Sequence, residues 1–225
     1  MKTSVLDYLV AIPWITLNVA IAWWGASLLT PTTRAMMGPY HVLGDVLLWS
    51  LLYMGITGIG LRILLWVHPF RPGTYSMDSR EFFVWKLYTS VNEMGSTAFL
   101  PFLPIFLRPP FFMFFGSRIG KNVAIGGRFI EPYLITAKDN AFFGGECLIT
   151  AHSIMPGTLS LKPIVIEENA FIGGRAVVQP GVTVGANSVV AGSALVLEDT
   201  QIPPNEIWGG IPAKKIGEVQ TRGAD

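Results

Sequence analysis

The chain has 225 residues, enough for one medium domain with an appendage, and its 16 basic and 15 acidic residues leave a formal net charge of +1. That balance carries no nucleic-acid footprint. Hydrophobic residues make up 51% and charged ones 14%, an excess for a soluble domain that is concentrated in the first half. Cys147 is the single cysteine, which rules out an internal disulfide and a cysteine-rich zinc site.

The first predicted element is the uncharged run Tyr8–Leu29, YLVAIPWITLNVAIAWWGASLL. As a helix at about 1.5 Å per residue it is long enough to cross a bilayer core of roughly 30 Å. A cleaved signal peptide fits less well, because Lys2 is followed by Asp7 and the apolar run is too long. A second run, Val46–Val67, carries only Arg62, near one end where it can snorkel. Trp23, Trp24, Trp49 and Trp66 lie toward the span ends, where indoles prefer to sit. Two transmembrane helices are therefore expected in residues 1–70. Arg34 alone lies in the intervening loop 30–45, whereas Lys2 precedes the first span and Arg71, Arg80 and Lys86 follow the second. That bias places both termini in the cytoplasm, which corresponds to a multi-pass protein of a bacterial-type inner membrane.

Residues 71–117 read as an interfacial connector. Asp78 or Ser79 can cap a helix running to Met94, with Phe82, Phe83, Leu87, Val91 and Met94 on one face and Gly95 ending it. The stretch Phe99–Gly116 is rich in phenylalanine but broken by Pro101, Pro104, Pro109 and Pro110. It either hugs the membrane or plugs the end of the next domain, and the two readings are compatible.

From residue 118 the sequence acquires a period of six. Ile119, Ile125, Glu131, Ala137, Phe143 and Ile149 are followed, after an interruption, by Ile166, Ile172, Val178, Val184, Val190 and Val196. Small or branched residues recur four places later, among them Ala141, Cys147, Ala170, Ala176, Ser188 and Ala194. One large and one small residue inward per six is the pattern of a hexapeptide β-helix, here of about four coils over residues 118–202. Asn122, Asn140, Asn169 and Asn187 suit the left-handed backbone of its corners. The frame breaks between Ser153 and Pro163, so a loop is extruded there. Residues 203–225 are expected to form a cap with a short helix from Ala213.

Three segments taken together resemble the hexapeptide-repeat (left-handed β-helix) acyltransferases: Ile149-Thr150-Ala151-His152, Lys162-Pro163-Ile164-Val165-Ile166 and Trp208-Gly209-Gly210-Ile211-Pro212-Ala213-Lys214. The likeness lies with the sugar O-acetyltransferases and with the C-terminal modules of poly-lysine-type peptide synthetases. It covers residues 119–219 specifically and the helical half only in general character. The resemblance implies a mainly β protein that forms a homotrimer, takes acetyl-CoA as donor and uses a histidine base, here His152. Where family members often carry His-Asp or His-Pro, this chain has His152-Ser153, so the group orienting the imidazole is not read from the motif. The positions matching the family's donor site are Gly174, Arg175, Gly192, Ser193, Trp208, Lys214 and Lys215.

Acyl transfer needs a base for the acceptor proton, and His152 has the right ordinary pKa at the edge of an extruded loop. Glu131 falls where the repeat calls for an apolar residue. Two dispositions are open for it: toward the cleft, orienting His152 or binding the acceptor, or out to solvent through a kink at Glu131-Pro132. The functions consistent with these residues are acetyl transfer to a lipid-linked or membrane-proximal acceptor, amide formation from an aminoacyl thioester, or a non-catalytic trimeric membrane scaffold. A zinc-dependent carbonic anhydrase of this fold needs three ligating histidines, and the repeat region has only His152; no metal is expected.

Overall fold

A computed structural model describes residues 4–97 and 99–220. The chain divides into two compact units, one made of residues up to Phe70 with Met77–Phe102, the other of Arg71–Ser76 with residues from Leu103 onward.

The first unit is helical. Helix α1 (Val5–Met37) opens on a capping box in which the Ser4 hydroxyl accepts from the Asp7 N–H and the Asp7 carboxylate accepts from the Ser4 N–H. Helix α2 (His41–Val67) follows after one 3-10 turn, Gly38–Tyr40. The expected loop 30–45 is therefore mostly helix, a correction to the sequence reading. The reversal is concentrated at Gly38, whose φ of 55° and ψ of −126° favour a residue without a Cβ. The two helices pack antiparallel at close range, and a Cβ on Gly60 would stand 3.2 Å from the Trp14 ring. The stretch Val5–Val67 is long and apolar enough to cross a membrane by length and composition, and its most apolar window is 11% buried. Helix α3 (Arg80–Thr97) starts with the Ser79 hydroxyl accepting from the Phe82 N–H at 3.1 Å. It runs through Gly95 and buries Phe82, Trp85, Tyr88 and Val91, while Met94, expected on that face, is exposed.

The second unit is a parallel β-helix with a plug at its N-terminal end. The plug is helix α4 (Arg108–Phe114), which has prolines in its first turn, where a missing N–H costs nothing. Phe111, Phe112 and Phe115 are buried, and Phe112 stacks on Phe129 at 4.5 Å between centroids. The Arg108 guanidinium donates to the carbonyls of Leu103 and Gly126 at 3.0 and 2.8 Å. The plugging role expected of the Phe99–Gly116 stretch thus falls to its second half.

Three parallel sheets form the faces of the prism. Ile119, Ala137, Ile166, Val184 and Ile202 stack on the first face, Ile125, Phe143, Ile172, Val190 and Trp208 on the second, and Phe129, Ile149, Val178 and Val196 on the third. Ile125, Ile149, Ile166, Ile172, Val178, Val184, Val190 and Val196 are wholly buried, and this stacked core is what holds the short strands together. The third face corrects the six-residue frame: Phe129, not Glu131, supplies its first inward side chain.

The corners explain the asparagines. Asn122, Asn140, Asn169, Asn187 and Asn205 all have φ between 55° and 63°, and each side-chain amide donates to the oxygen of the next at 3.1–3.3 Å. After Pro203-Pro204 the strand Glu206–Gly209 continues the second face and pairs antiparallel with Lys214–Glu218. That strand replaces the short helix expected from Ala213, because the last face offers an open edge and Ala213 N–H is already bonded to the Leu195 carbonyl at 2.7 Å.

Two outcomes are expected. Asn187→Ala loses both the ladder bond and the best side chain for a left-handed corner, costing about 1–2 kcal/mol, and Asn187→Gly costs less; urea midpoints of the two variants check the order. Burial pushes the Cys147 thiol up to about 12, above its ordinary value near 9. Native protein should therefore resist thiol alkylation at pH 8 and react fully once unfolded. Because the folded pKa is raised, this contribution to stability is intact below pH about 9 and is lost as pH climbs toward 12.

Candidate active site

The site is built at the corner between the third and first faces of the second unit. Ile130 N–H extends the third-face ladder by donating to the Ile149 carbonyl at 3.0 Å. The chain then turns at Glu131, with φ −110° and ψ 79°, into the 3-10 turn Pro132–Leu134. The Leu134 N–H returns to the Glu131 carbonyl at 3.0 Å, and the Ser117 hydroxyl donates to the Pro132 carbonyl at 2.8 Å. Twenty positions separate the paired residues Phe129 and Ile149, against 18 for Ile125 and Phe143. The two extra residues let the Glu131 side chain turn inward.

One coil later the chain reaches the same corner at Thr150 and leaves the prism. Strands His152–Met155 and Thr158–Leu161 form a hairpin that turns at Gly157, φ 87°. Leu159 and Leu161 are wholly buried, so the hairpin is anchored at its return strand. A third strand, Gly73–Ser76, pairs antiparallel with Thr158–Leu161. It comes from the segment between α2 and α3, and the sequence reading missed it; the signal available was the turn-prone Arg71-Pro72-Gly73 before a Thr-Tyr pair.

These elements bring His152 and Glu131 together. The Glu131 carboxylate has no exposed surface, while the imidazole is 23% exposed. Imidazole Nδ1 lies 2.6 Å from Glu131 Oε1, and the Ala151 N–H donates to Oε2 at 3.0 Å. The Thr150 hydroxyl lies 3.1 Å from Nδ1 and bonds the His152 carbonyl at 3.3 Å. A buried carboxylate is tolerated only when both oxygens are occupied by donors, which the Ala151 N–H and an Nδ1–H achieve. This fixes the proton on Nδ1 and puts the basic lone pair on Nε2. The kink that would have carried Glu131 to solvent is therefore not formed; the turn at Pro132 sends it inward.

The residues matched to a donor site fall in two other places. Gly174-Arg175 and Gly192-Ser193 occupy successive levels of the corner between the second and third faces, with Ser193 N–H bonded to the Gly174 carbonyl at 2.9 Å. Arg175 pairs with Glu146 at 2.8 Å, both exposed. Trp208, Lys214 and Lys215 lie on the C-terminal hairpin. The Trp208 indole donates to Glu206 at 2.7 Å, and Lys215 pairs with Glu206 and Glu218 at 2.9 and 2.8 Å. Lys215 and the indole hold the Glu206 carboxyl below its ordinary range. The matched corner residues Gly174, Arg175, Gly192 and Ser193 thus stand on a different edge of the prism from His152.

Sequence comparison finds relatives of one class. The model for the "Hexapeptide repeat of succinyl-transferase" matches residues 163–195. A galactoside O-acetyltransferase of Escherichia coli is 28% identical over 161 residues, covering 65% of this chain and 71% of that protein. A putative colanic acid biosynthesis acetyltransferase of the same species is 32% identical over 130 residues, covering 46% of this chain and 70% of that protein. A solved hexapeptide-repeat acetyltransferase of Vibrio cholerae, complexed with acetyl coenzyme A, is 30% identical with a TM-score of 0.44, covering 47% of this chain and 62% of that one. The chain belongs to the hexapeptide-repeat acetyltransferases, and it is an enzyme of that class.

Glu131→Gln tests the geometry directly. An amide has one acceptor oxygen for the two donors, so one loses its partner, at a cost of about 1–3 kcal/mol. Nitrogen-15 shifts of His152 should report the Nδ1–H tautomer in the parent protein and a mixture in the variant.

Proposed function

We propose that the chain transfers an acetyl group from acetyl-CoA to a hydroxyl or amine of a membrane-associated acceptor, a lipid-linked glycan or a lipid. His152 is the general base and Glu131 the positioning residue. The observation that carries this reading is the wholly buried Glu131 carboxylate fixing the imidazole tautomer. Nε2 takes the acceptor proton as the acceptor oxygen or nitrogen attacks the thioester carbonyl carbon. Collapse of the tetrahedral intermediate breaks the carbon–sulfur bond, and the imidazolium returns the proton to the CoA sulfur. Glu131 stabilises the imidazolium while it exists, as a carboxylate does in other histidine-based sites.

The active unit is a homotrimer. His152 and the Gly174-to-Ser193 corner lie on different edges of one prism, so a neighbouring copy can supply the donor edge that faces each base. Helices α1 and α2 form a two-pass membrane anchor with both termini in the cytoplasm, supported by the poorly buried apolar stretch Val5–Val67 and by the distribution of basic residues. Such an anchor keeps the enzyme in the membrane that holds an amphiphilic acceptor.

The test uses the full chain in detergent. Calorimetry should show acetyl-CoA binding equally to the parent and to His152→Ala, while CoA release into membrane extract falls about 10²–10⁴-fold in the variant. An unchanged rate would remove His152 from the role of base. Absence of donor binding by both proteins would shift the reading to a carrier-bound aminoacyl thioester. Co-expressing His152→Ala with Arg175→Glu, each inactive alone, should restore about a quarter of the parent rate if base and donor edge come from different copies of a cyclic trimer.

A further inference from the structure

The helical unit holds a polar site that the acetyl-transfer chemistry does not use. Between α1 and α2, next to their connecting turn, lies a cavity of about 300 Å³ lined by Trp23, Thr30, Val42, Asp45, Val46 and Trp49. Its walls are mostly apolar, yet they include one carboxylate, Asp45, beside two tryptophans. Asp45 accepts a hydrogen bond from the Thr33 hydroxyl at 2.5 Å, and among the described residues no cation pairs with it. Trp49 Nε1 is buried and lacks a hydrogen-bond partner. The Trp49 ring is held in place by stacking on Tyr53, with centroids 5.7 Å apart and planes at 13°. Trp23 is 69% exposed at the mouth.

Each group asks for a particular ligand feature. Asp45 is half-buried beside apolar walls, and a carboxylate there attracts a cation more strongly than one in open water. Indole faces attract a cation with alkyl substituents, which can fill an apolar space while keeping its charge over the rings. Asp45 immediately precedes the apolar run Val46–Val67, so in a spanning hairpin the cavity sits at headgroup depth. That placement rests on the membrane reading above; the cavity's chemistry does not.

We propose that this cavity binds an alkylammonium group, as carried by the choline or ethanolamine headgroup of a zwitterionic phospholipid. The ammonium sits between Trp23 and Trp49 against Asp45. The cavity's residues and the pair His152–Glu131 belong to different units of the chain, and the occupant proposed here is a bound lipid.

Native mass spectrometry of the full chain released from nanodiscs tests this. The discs contain equal parts of phosphatidylcholine and phosphatidylglycerol of the same acyl chains. The parent protein should retain phosphatidylcholine at least tenfold over phosphatidylglycerol. Asp45→Asn should abolish that preference, as should Trp23→Ala, which removes an exposed side chain and leaves the helix packing intact. Equal retention of the two lipids by the parent, or an unchanged preference in both variants, would overturn the proposal. Free choline chloride titrated into the sample separates the sources. Displacement of the lipid assigns recognition to the cation alone, and persistence assigns it to the cation with its phosphodiester; either result supports the site. Acetyl-CoA binding measured on the same preparations stays at the parent level throughout, so failure of the lipid site and failure of the acetyltransferase reading give different results.

Discussion

The Glu131 carboxylate has no exposed surface, and the geometry of the candidate site depends on that burial. A charge in this position is stable only if the surrounding chain delivers donors to both oxygens. The first coil is built to do so. The Pro132 turn aims the side chain, the Ser117 hydroxyl fixes the Pro132 carbonyl, and the phenylalanine plug of α4 covers the open end of the prism. The next coil then presents the Ala151 N–H and the His152 ring to the two oxygens. The His152 ring is oriented by Glu131, a residue one coil below it.

Most of the second unit was legible in the sequence, because the β-helix repeats one constraint at every level. Each six-residue step must place one aliphatic side chain inward, and from Ile166 to Val196 it does so without exception. The misreading at Glu131 has a specific cause. The chain reaches its third-face position at Phe129, four residues after Ile125, and its next first-face position at Ala137, eight residues later. A short step followed by a long one preserves the count of twelve, so a frame counted in sixes lands on the one residue that has left the repeat. An acidic residue on an inward position was the visible sign.

What the sequence did not disclose depends on pairing between distant segments. Gly73–Ser76 is four residues between two helices, set apart from a linker only by the turn-prone Arg71-Pro72-Gly73 before a Thr-Tyr pair; it becomes a strand because Thr158–Leu161 offers it an edge. The Lys214–Glu218 segment follows Ala213 and carries two lysines and a glutamate, which suit a helix, but the edge of Glu206–Gly209 captures it as a strand. In the helical unit residues 30–45 read as a loop because they lie between the two apolar runs. Packing between α1 and α2 carries both helices on to a three-residue turn.

The corners separate structural requirements from chemical ones. Left-handed residues occur at all three, and at the first the chain uses asparagine at five successive levels, a residue that adopts this conformation at little cost and can bond to its own copies above and below. At the corner between the second and third faces the same conformation is imposed on Glu146, Arg175 and Ser193, with φ of 58–60°. Those residues gain nothing comparable from the backbone, and the Arg175–Glu146 pair is too exposed to repay the strain by itself. Holding disfavoured residues in a strained conformation is a feature that functional sites share. The edge where the chain gives up its best corner residue is also the edge that carries the positions matched to a donor site, and this coincidence supports reading it as the surface that meets the acetyl donor.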